Sequence, residues 1–486
     1  MEKHEYSRLD ATALAELVAR KEVTPTELLD TALGLVSDLN PSLNAVVHIR
    51  EQVARKSIAD GLPDGPFSGV PFLIKDLGVE AKDFPTSNGS KLTEGMVWGY
   101  DSEMYTRFKA SGAVTFARTT SPEFGVGPVT EAGVYGGPTR NPWNLDRTSG
   151  GSSGGSGAAT AAGIVPMSHA SDGGGSVRIP ASSCGLVGFK LTRAQLPNGP
   201  ASGEGWGGMA INGVLSRSLR DSVTMLDAVK GADLGAPYCA PPLSGTLSNA
   251  MITDPGKLRI RYSTSNFMGG VADPECVEAV TKTARSLADL GHEVEEFRGE
   301  DALGISAMMF AWTKIVASGT ALTVRKILAG KPLDPEMVDG VTRGAVAYSE
   351  QISGADYLEA LNEVHAFGRR MARVFLDCDV LLTPTLAEPP IKVGRLKPDN
   401  EDFVDYRNGP NGVFAYSPYC AIFNASGQPA VSLPLHWSKD NLPVGVHLAM
   451  AFGEDERLIS LAAQIEQAMP WEADQLRLID KGGIWR

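Results

Sequence analysis

One short region of the sequence concentrates the glycine and serine residues that could carry out acyl transfer. Residues 148–191 read TSGGSSGGSGAATAAGIVPMSHASDGGGSVRIPASSCGLVGFKL, and the cluster Gly173-Gly174-Gly175 directly precedes Ser176. Successive backbone N–H groups in such a cluster can form a nest for a developing oxyanion, and glycine allows the reacting carbonyl to approach closely. The pattern therefore predicts a nucleophilic serine at Ser176, beside an oxyanion site built from residues 173–176.

A nucleophilic serine needs a base, and the sequence offers two candidates. His169 lies in the same region, but an isolated histidine in this position is more often structural than catalytic. Lysine can act as the base where burial keeps it neutral. Lys75 ends the apolar run Gly69-Val-Pro-Phe-Leu-Ile-Lys75 and is the natural candidate. A lysine followed by Asp76 is also typical of a protein surface, so spacing alone leaves both interpretations open.

Generic motifs also match this region and its surroundings, but the sequence context that each of them requires is missing. Gly151–Gly155 matches the G-x-S-x-G nucleophile elbow, but no apolar strand precedes it. A flexible linker is the alternative for a Gly/Ser-rich stretch, and the helix-forming Ala158–Ala162 that follows argues against it. Gly203–Gly208 fits G-x-G-x-x-G, but with no strand before it and no clear helix after it we interpret it as a loop.

Periodicity places these residues on alternating strands and helices. Residues 9–37 have the pattern of two amphipathic helices, with Thr24 as N-cap before Pro25 and an expected stop at Asn40-Pro41. Strands are expected at 69–75, 113–117, 292–296, 379–384, 429–433 and 444–449, and helices at 101–112, 275–291, within 304–375 and, as the last one, at 453–469. This alternation is typical of an α/β architecture.

Composition excludes several classes of function. The 486 residues carry a net charge of −13 with a pI of about 5.1 and no Lys/Arg cluster, which argues against nucleic-acid binding. The five cysteines are odd in number and form no C-x-x-C pair, so we expect free thiols in a reducing compartment and no zinc site. The first residues lack an apolar signal core, and we expect no membrane span and a cytoplasmic protein.

Taken together, the motifs resemble the amidase signature family over roughly residues 10–470. The resemblance is carried by the following segments. They are Gly69–Asp76, Thr139–Trp143, Gly150–Ser156, Asp172–Pro180, Cys184–Leu191, Phe423–Ala430, Leu442–Gly445 and Gly453–Asp455. The combination is far more specific than any one segment.

The resemblance implies a role for each matching residue. Lys75 takes the place of the family's base, Ser152 that of a proton-shuttling serine held through a cis peptide bond, and Ser176 that of the nucleophile. The oxyanion donors fall on the backbone of Gly173, Gly174, Gly175 and Ser176, and no cofactor or metal is implied. Ser153 is expected to be a local hydrogen-bonding neighbour and not a member of the relay.

Other residues near the site allow two interpretations. Asp172 and Arg178 flank the nucleophile, and they either brace its loop as a pair or form an ordinary surface ion pair. Gly173 stands where relatives often have Thr or Ile, which predicts a looser oxyanion loop or room for a bulky acyl group. His447 stands where many relatives have Gln, and we expect it to be structural first and pocket-lining second.

The family fold implied is α/β: a large mixed, mostly parallel sheet with helices on both faces, forming a single compact domain over residues 1–486. Within it, residues 1–60 are expected to be N-terminal helices, 65–240 the catalytic core and 300–375 a partly helical substrate-facing segment. The last segment and the region after it supply candidate pocket aromatics. They are Trp312, Tyr348, Phe414 and Tyr416, for each of which core packing is an equal alternative.

The implied activity is hydrolysis of a carboxylic amide, with bacterial nylon-oligomer hydrolases and aryl acylamidases as the most similar members. We expect a small hydrophobic, aryl or oligomeric amide, with carbamates or esters as further options. Members that cleave the cyclic nylon dimer resemble one another in a cysteine near 305–325; this chain has none there, which argues against that substrate. We leave a homodimer open.

Two other functions are compatible with parts of the pattern. An amidase subunit of a tRNA-dependent amidotransferase shares the motifs and would co-purify with a second subunit. A non-catalytic binding protein on the same scaffold would be expected to lose a member of the relay, yet Lys75, Ser152 and Ser176 are all present.

Overall fold

A computed structural model describes residues 1–480, and its central feature is an eleven-stranded mixed sheet covered by helices. The strands have the following bounds. They are β1 Val46–Val47, β2 Pro71–Lys75, β3 Val114–Thr119, β4 Arg140–Asn141, β5 Asn144–Thr148, β6 Met167–Asp172, β7 Val187–Lys190, β8 Ile211–Ser216, β9 Arg259–Tyr262, β10 Glu293–Glu296, β11 Val380–Pro384, β12 Ala430–Trp437 and β13 Pro443–Met450.

Helices are distributed along the whole described chain. They are α1 Lys3–Arg8, α2 Ala11–Ala19, α3 Pro25–Leu43, α4 Glu51–Asp60, α5 Glu103–Ala110, α6 Gly154–Ala161, α7 Arg178–Cys184, α8 Leu219–Val229, α9 Leu247–Ala250, α10 Pro274–Asp289, α11 Ile305–Leu328, α12 Gly340–Ser349, α13 Gly354–Asp377, α14 Phe403–Asn408, α15 Val413–Tyr416, α16 Ala421–Ser426, α17 Asp455–Ala468 and α18 Glu472–Asp480. Short 3₁₀ turns lie at Lys91–Thr93, Glu123–Gly125, Gly133–Tyr135, Glu300–Leu303 and Pro335–Met337.

The sheet is mixed, as expected, but it is not mostly parallel. Its strand order is β1-β3-β2-β6-β8-β7-β12-β13-β11-β9-β10, and β4 and β5 form a separate ribbon. Parallel pairing joins β2 to β3 and β6, and β9 to β10 and β11. The other neighbouring pairs are antiparallel. Strands β12 and β13 are joined by the short connection 438–442, and only antiparallel strands can be joined so tightly.

Both faces of the sheet pack against apolar helices. On β13, the side chains of Val446 and Leu448 lie in one hydrophobic cluster and that of Ala449 lies in a second. The first cluster includes residues of α3, α10 and α17, and the second includes residues of α11, α13 and α16. Because successive strand residues face opposite sides, this division shows that the sheet separates two cores.

The N-terminal helices form largely as the sequence predicts. Thr24 caps α3 in a capping box with Glu27, and Pro25 occupies the first turn. The expected stop at Asn40-Pro41 is wrong, because α3 continues to Leu43. The Asn40 side chain explains the extension: its Oδ1 accepts from the N–H groups of Ala45 and Val46 at 2.8 Å each, which ties the chain after the helix back onto its last turn.

The C-terminal end contains one more helix than expected. Helix α17 matches the predicted helix at 453–469, but α18 follows it. Within residues 1–480, α11 is the single helix long and apolar enough to cross a membrane, and 56% of its most apolar window is buried. It packs against α12 and α13, which is the position of a core helix.

The capping box yields a first prediction. Thr24→Ala removes the side-chain oxygen that accepts from the Glu27 N–H, and we expect it to lower the free energy of unfolding by about 1 kcal/mol. Thr26→Ala, at an exposed position in the same turn, should change that free energy by less than about 0.5 kcal/mol. Denaturant unfolding followed by circular dichroism measures both; equal effects of the two substitutions would contradict the capping role.

Candidate active site

The three residues predicted to form the relay lie at the ends of elements that meet at one side of the sheet. Lys75 is the last residue of β2, Ser152 lies between β5 and α6, and Ser176 lies between β6 and α7. Strands β2 and β6 are parallel neighbours, so their carboxyl ends meet at the same edge. This topology brings residues together that are far apart in the sequence.

Lys75 is buried and in direct contact with Ser152. Its Nζ lies 2.6 Å from Ser152 Oγ and 2.9 Å from Ser171 Oγ, and the side chain is fully buried. Burial lowers the pKa of Lys75 to about 7, and the negative charge of Asp172 opposes that shift. The adjacent Asp76 is also fully buried, so the alternative of a surface Lys-Asp pair is wrong.

His169 holds the main chain of Lys75 and is structural, as expected. Its Nδ1 accepts from the Lys75 N–H at 3.2 Å, and its Nε2 lies 3.1 Å from Asn212 Oδ1. Burial lowers the pKa of His169 to about 3, so the ring is neutral at physiological pH. Since Nδ1 accepts, Nε2 carries the proton and donates to Asn212, a partner that the local sequence gave no reason to expect.

The loop that carries Ser152 is closely packed. The Gly151–Ser152 peptide bond is cis, as the resemblance implies. A Cβ at Gly151 would come within 2.8 Å of Gly127 O, which explains why glycine stands there. Ser153 Oγ donates to Ser171 O and accepts from Ser171 N, both at 3.3 Å, and so has the local bonding position that was predicted for it.

One of the four backbone N–H groups predicted to form the oxyanion nest is already engaged in the structure. The Gly175 N–H donates to Asp172 Oδ1 at 2.7 Å and does not face an oxyanion in this structure. Its position is fixed because the buried Asp172 carboxylate needs donors. The backbone donors left for an oxyanion are therefore those of Gly173, Gly174 and Ser176.

Close packing and backbone conformation explain why residues 173–175 are all glycine. A Cβ at Gly173 would come within 2.6 Å of the Trp206 ring, and one at Gly174 within 2.9 Å of the Trp312 ring. Gly175 has φ +123°, a conformation that favours glycine. Trp312 Nε1 also donates to Gly173 O at 3.1 Å. The expectation of a looser or roomier loop is therefore wrong, because Trp206 and Trp312 fill that space.

Asp172 and Arg178 form a buried, bidentate ion pair, which excludes the surface alternative. Arg178 Nε and Nη2 donate to the two Asp172 carboxylate oxygens at 2.9 Å each, and both residues are fully buried. Asp172 has a pKa held well below its ordinary value: burial alone would raise it, and the charge and hydrogen bonds of Arg178 and Asn424 overcome that effect. The pair braces the loop that carries Ser176.

Two residues from the C-terminal third complete this network. Asn424 Nδ2 donates to Asp172 Oδ1 at 2.8 Å, and Arg178 Nη2 donates to Asn424 Oδ1 at 2.7 Å. His447 Nε2 lies 3.0 Å from Arg178 Nη1, and burial lowers the pKa of His447 well below its usual range. Because Arg178 can only donate, His447 accepts and is structural. It lines neither of the two cavities that border Ser176.

Ser152 and Ser176 both open onto one cavity of about 320 Å³. Its walls are mixed: Leu77 and Trp206 are among the apolar residues, and Glu80, Asn198 and Glu204 are among the polar ones. A second, smaller cavity of about 20 Å³ adjoins it and shares Gly125, Ser176 and Trp206.

Two of the four candidate pocket aromatics lie at the site. Trp312 and Phe414 line the smaller cavity, whereas Tyr416 is buried in the core and Tyr348 packs partly exposed against Phe403. Trp206 was missed, although it stands inside the stretch 203–208, which is a loop as expected. Its only signal in the sequence was an aromatic residue within a glycine-rich loop.

The buried ion pair generates a second prediction. Asp172→Asn leaves the Arg178 guanidinium buried without its counter-charge, and we expect the free energy of unfolding to fall by about 3–5 kcal/mol. The matched control is Asp38→Asn, which breaks the half-exposed Lys3–Asp38 pair and should cost less than about 1 kcal/mol. Denaturant unfolding measures both, and a small loss for Asp172→Asn would contradict the bracing role.

Comparison with known proteins supports the family resemblance. A family profile described as Amidase matches residues 27–459. The 6-aminohexanoate-cyclic-dimer hydrolase of Paenarthrobacter ureafaciens is 37% identical over 481 residues, which is 97% of each chain. The solved structure of 6-aminohexanoate cyclic dimer hydrolase with substrate superimposes with a TM-score of 0.91 at 34% identity, covering 97% of this chain and 99% of that one. A bacterial aryl acylamidase of the amidase signature family superimposes with a TM-score of 0.85 at 26% identity, covering 98% and 99%.

The family profile spans most of the chain, and the relatives are similar over nearly its full length. The mixed sheet, the buried lysine at the end of a strand and the cis serine loop stand in the positions that the sequence motifs implied. On these grounds the chain belongs to the amidase signature family, and it is an enzyme that hydrolyses amide bonds.

Proposed function

We propose that the enzyme cleaves a carboxylic amide through an acyl-enzyme on Ser176, with Ser152 as proton shuttle and Lys75 as general base. The observation that carries this proposal is the contact of 2.6 Å between Lys75 Nζ and Ser152 Oγ. The lysine is fully buried and its pKa is lowered to about 7, so a large fraction is neutral near neutral pH. A base of this pKa is well matched to proton transfer at that pH.

The reaction proceeds in two halves. Neutral Lys75 accepts the proton of Ser152, Ser152 accepts that of Ser176, and Ser176 Oγ bonds to the amide carbonyl carbon. As the tetrahedral intermediate collapses, Ser152 gives a proton to the amine nitrogen, the C–N bond breaks, and Lys75 returns its proton to Ser152. Water then repeats the sequence on the acyl-enzyme and releases the carboxylic acid.

The backbone of residues 173, 174 and 176 would stabilise the intermediate. These N–H groups are not engaged by Asp172, and they belong to a loop fixed by the buried ion pair and by Trp206 and Trp312. Donors that need no reorganisation act strongly on a developing oxyanion, and each is worth about 2.7–4 kcal/mol of barrier in enzymes where one has been removed.

The cavity supports hydrophobic, aryl or oligomeric amides as the substrate class, with carbamates or esters as further candidates. Its volume of about 320 Å³ suits a small molecule, and the apolar part of its walls, which includes Leu77, Phe124 and Trp206, suits a hydrophobic body. One relative is named for a cyclic amide dimer and another for aryl acylamides, and both names fall within this class. We propose a cytoplasmic location, which the five free cysteines support.

A third prediction tests the nucleophile. Ser176→Ala removes the atom that forms the acyl bond, so release of a chromogenic aniline from an anilide should fall to background. Ser349→Ala, at a partly buried serine on α12 that lines neither cavity, should retain the wild-type rate. Full activity of Ser176→Ala, with the protein folded as judged by circular dichroism, would rule out the mechanism.

A fourth prediction concerns pH. Because the base must be neutral, kcat/KM of the wild type should rise through a pKa near 7 and level off above it, as Lys75 loses its proton. Lys75→Ala should reduce turnover more at neutral pH than at high pH, where hydroxide can replace the base, and the step near 7 should disappear. Rates measured between pH 5 and 10 check both, and an unshifted step in Lys75→Ala would exclude this residue as the base.

A further inference from the structure

Arg407 is a buried arginine beside the site that the proposed relay does not use. It lies on α14 and is only 3% exposed. Its guanidinium carbon stands 4.8 Å from the centroid of the Trp312 ring and 5.4 Å from that of Phe403, which holds the group in an aromatic setting.

This guanidinium has no polar partner within the described residues. Its Nε and Nη2 are buried and make no hydrogen bond, and none of the ion pairs among residues 1–480 includes Arg407. Arg178, also fully buried, is instead paired with Asp172. Burial lowers the pKa of Arg407 to about 10, which still leaves it charged at neutral pH. A buried charge without a partner is costly, and buried polar groups are normally satisfied.

The two cavities indicate that Arg407 lies on the acyl side of the amide bond that is cleaved. It lines the smaller cavity together with Gly174, Ser176 and Trp312. Ser152 lines the larger cavity and is not among the residues that form the smaller one. Since Ser152 must protonate the departing amine, the amine lies in the larger cavity. The acyl group therefore extends from Ser176 toward Arg407.

We propose that Arg407 binds a carboxylate on the acyl portion of the substrate, which makes the substrate a monoamide of a short dicarboxylic acid. This inference rests on the proposed function, because it assumes attack by Ser176. A planar guanidinium suits a carboxylate, and the charge of this one is not compensated by any described residue. The smaller cavity, at about 20 Å³, has room for a group of a few atoms and not for a ring. A linear ω-amino acid oligomer would place an ammonium group here and be repelled.

Three anilides of matched length test the proposal. They are an N-phenyl monoamide of succinic or glutaric acid, its methyl ester, and the corresponding ω-amino anilide, with aniline release as the readout. We expect kcat/KM of the wild type for the acid to exceed that for the ester by about tenfold or more, with the ω-amino compound slowest. A ratio near one or below overturns the proposal.

Variants test whether Arg407 causes the preference for the acid over the ester. In Arg407→Met the ratio of acid to ester should fall to about one, and in Arg407→Lys it should be intermediate, because the charge remains but the planar fork is lost. Arg343→Met, at an arginine paired with Glu401 in the same helical region, should keep the wild-type ratio. An Arg407→Met protein with the wild-type ratio overturns the proposal; if that variant does not fold, the ratio in Arg407→Lys decides in the same way.

Binding without turnover separates this inference from the proposed mechanism. Calorimetry with the intact acid anilide should show binding to Ser176→Ala that is about tenfold tighter than binding to Ser176→Ala/Arg407→Lys. Equal affinities overturn the carboxylate site even if the relay is correct. Full hydrolysis of all three anilides by Ser176→Ala would instead overturn the mechanism, and with it the assignment of the acyl side.

Discussion

The Asp172 carboxylate is the group on which the candidate site depends. Fully buried at the end of β6, it would be very costly without donors, and the fold supplies them from three directions. The N–H of Gly175 comes from its own loop, the guanidinium of Arg178 from the following helix, and the amide of Asn424 from the C-terminal third. Satisfying one charge therefore fixes the loop that carries Ser176 and joins it to a distant part of the chain.

The same carboxylate also influences Lys75, the proposed base. Burial alone drives the Lys75 pKa downward, and the negative charge of Asp172 works in the opposite direction, leaving the pKa at about 7. Deeper burial without Asp172 would give a lysine that is neutral but a weaker base, and greater exposure would give one that is always protonated. Structural bracing and the basicity of the lysine are thus coupled through a single charge.

The sequence predicted the features that depend on neighbouring residues. It did not predict the features that depend on contacts between distant parts of the chain. The buried strand ending at Lys75 and the cap at Thr24 both follow from neighbouring residues. The antiparallel majority of the sheet, the Gly175 N–H that turns to Asp172, and the Trp206 ring over Gly173 do not. Each is decided by partners that only the folded chain brings close. The resemblance supplied the role of Ser152, which its Gly/Ser-rich surroundings alone could not identify.

Burial acts differently on two cations of the candidate site, Lys75 and Arg407. Lys75 and Arg407 are both almost entirely removed from water, yet only the lysine can lose its charge near neutral pH, with a pKa of about 7 against about 10 for the arginine. An ammonium group that becomes neutral can serve as a base, whereas a guanidinium that stays charged can only attract an anion. The same kind of environment thus suits Lys75 to the proton transfer that we propose and suits Arg407 to the proposed binding of a negatively charged substrate group.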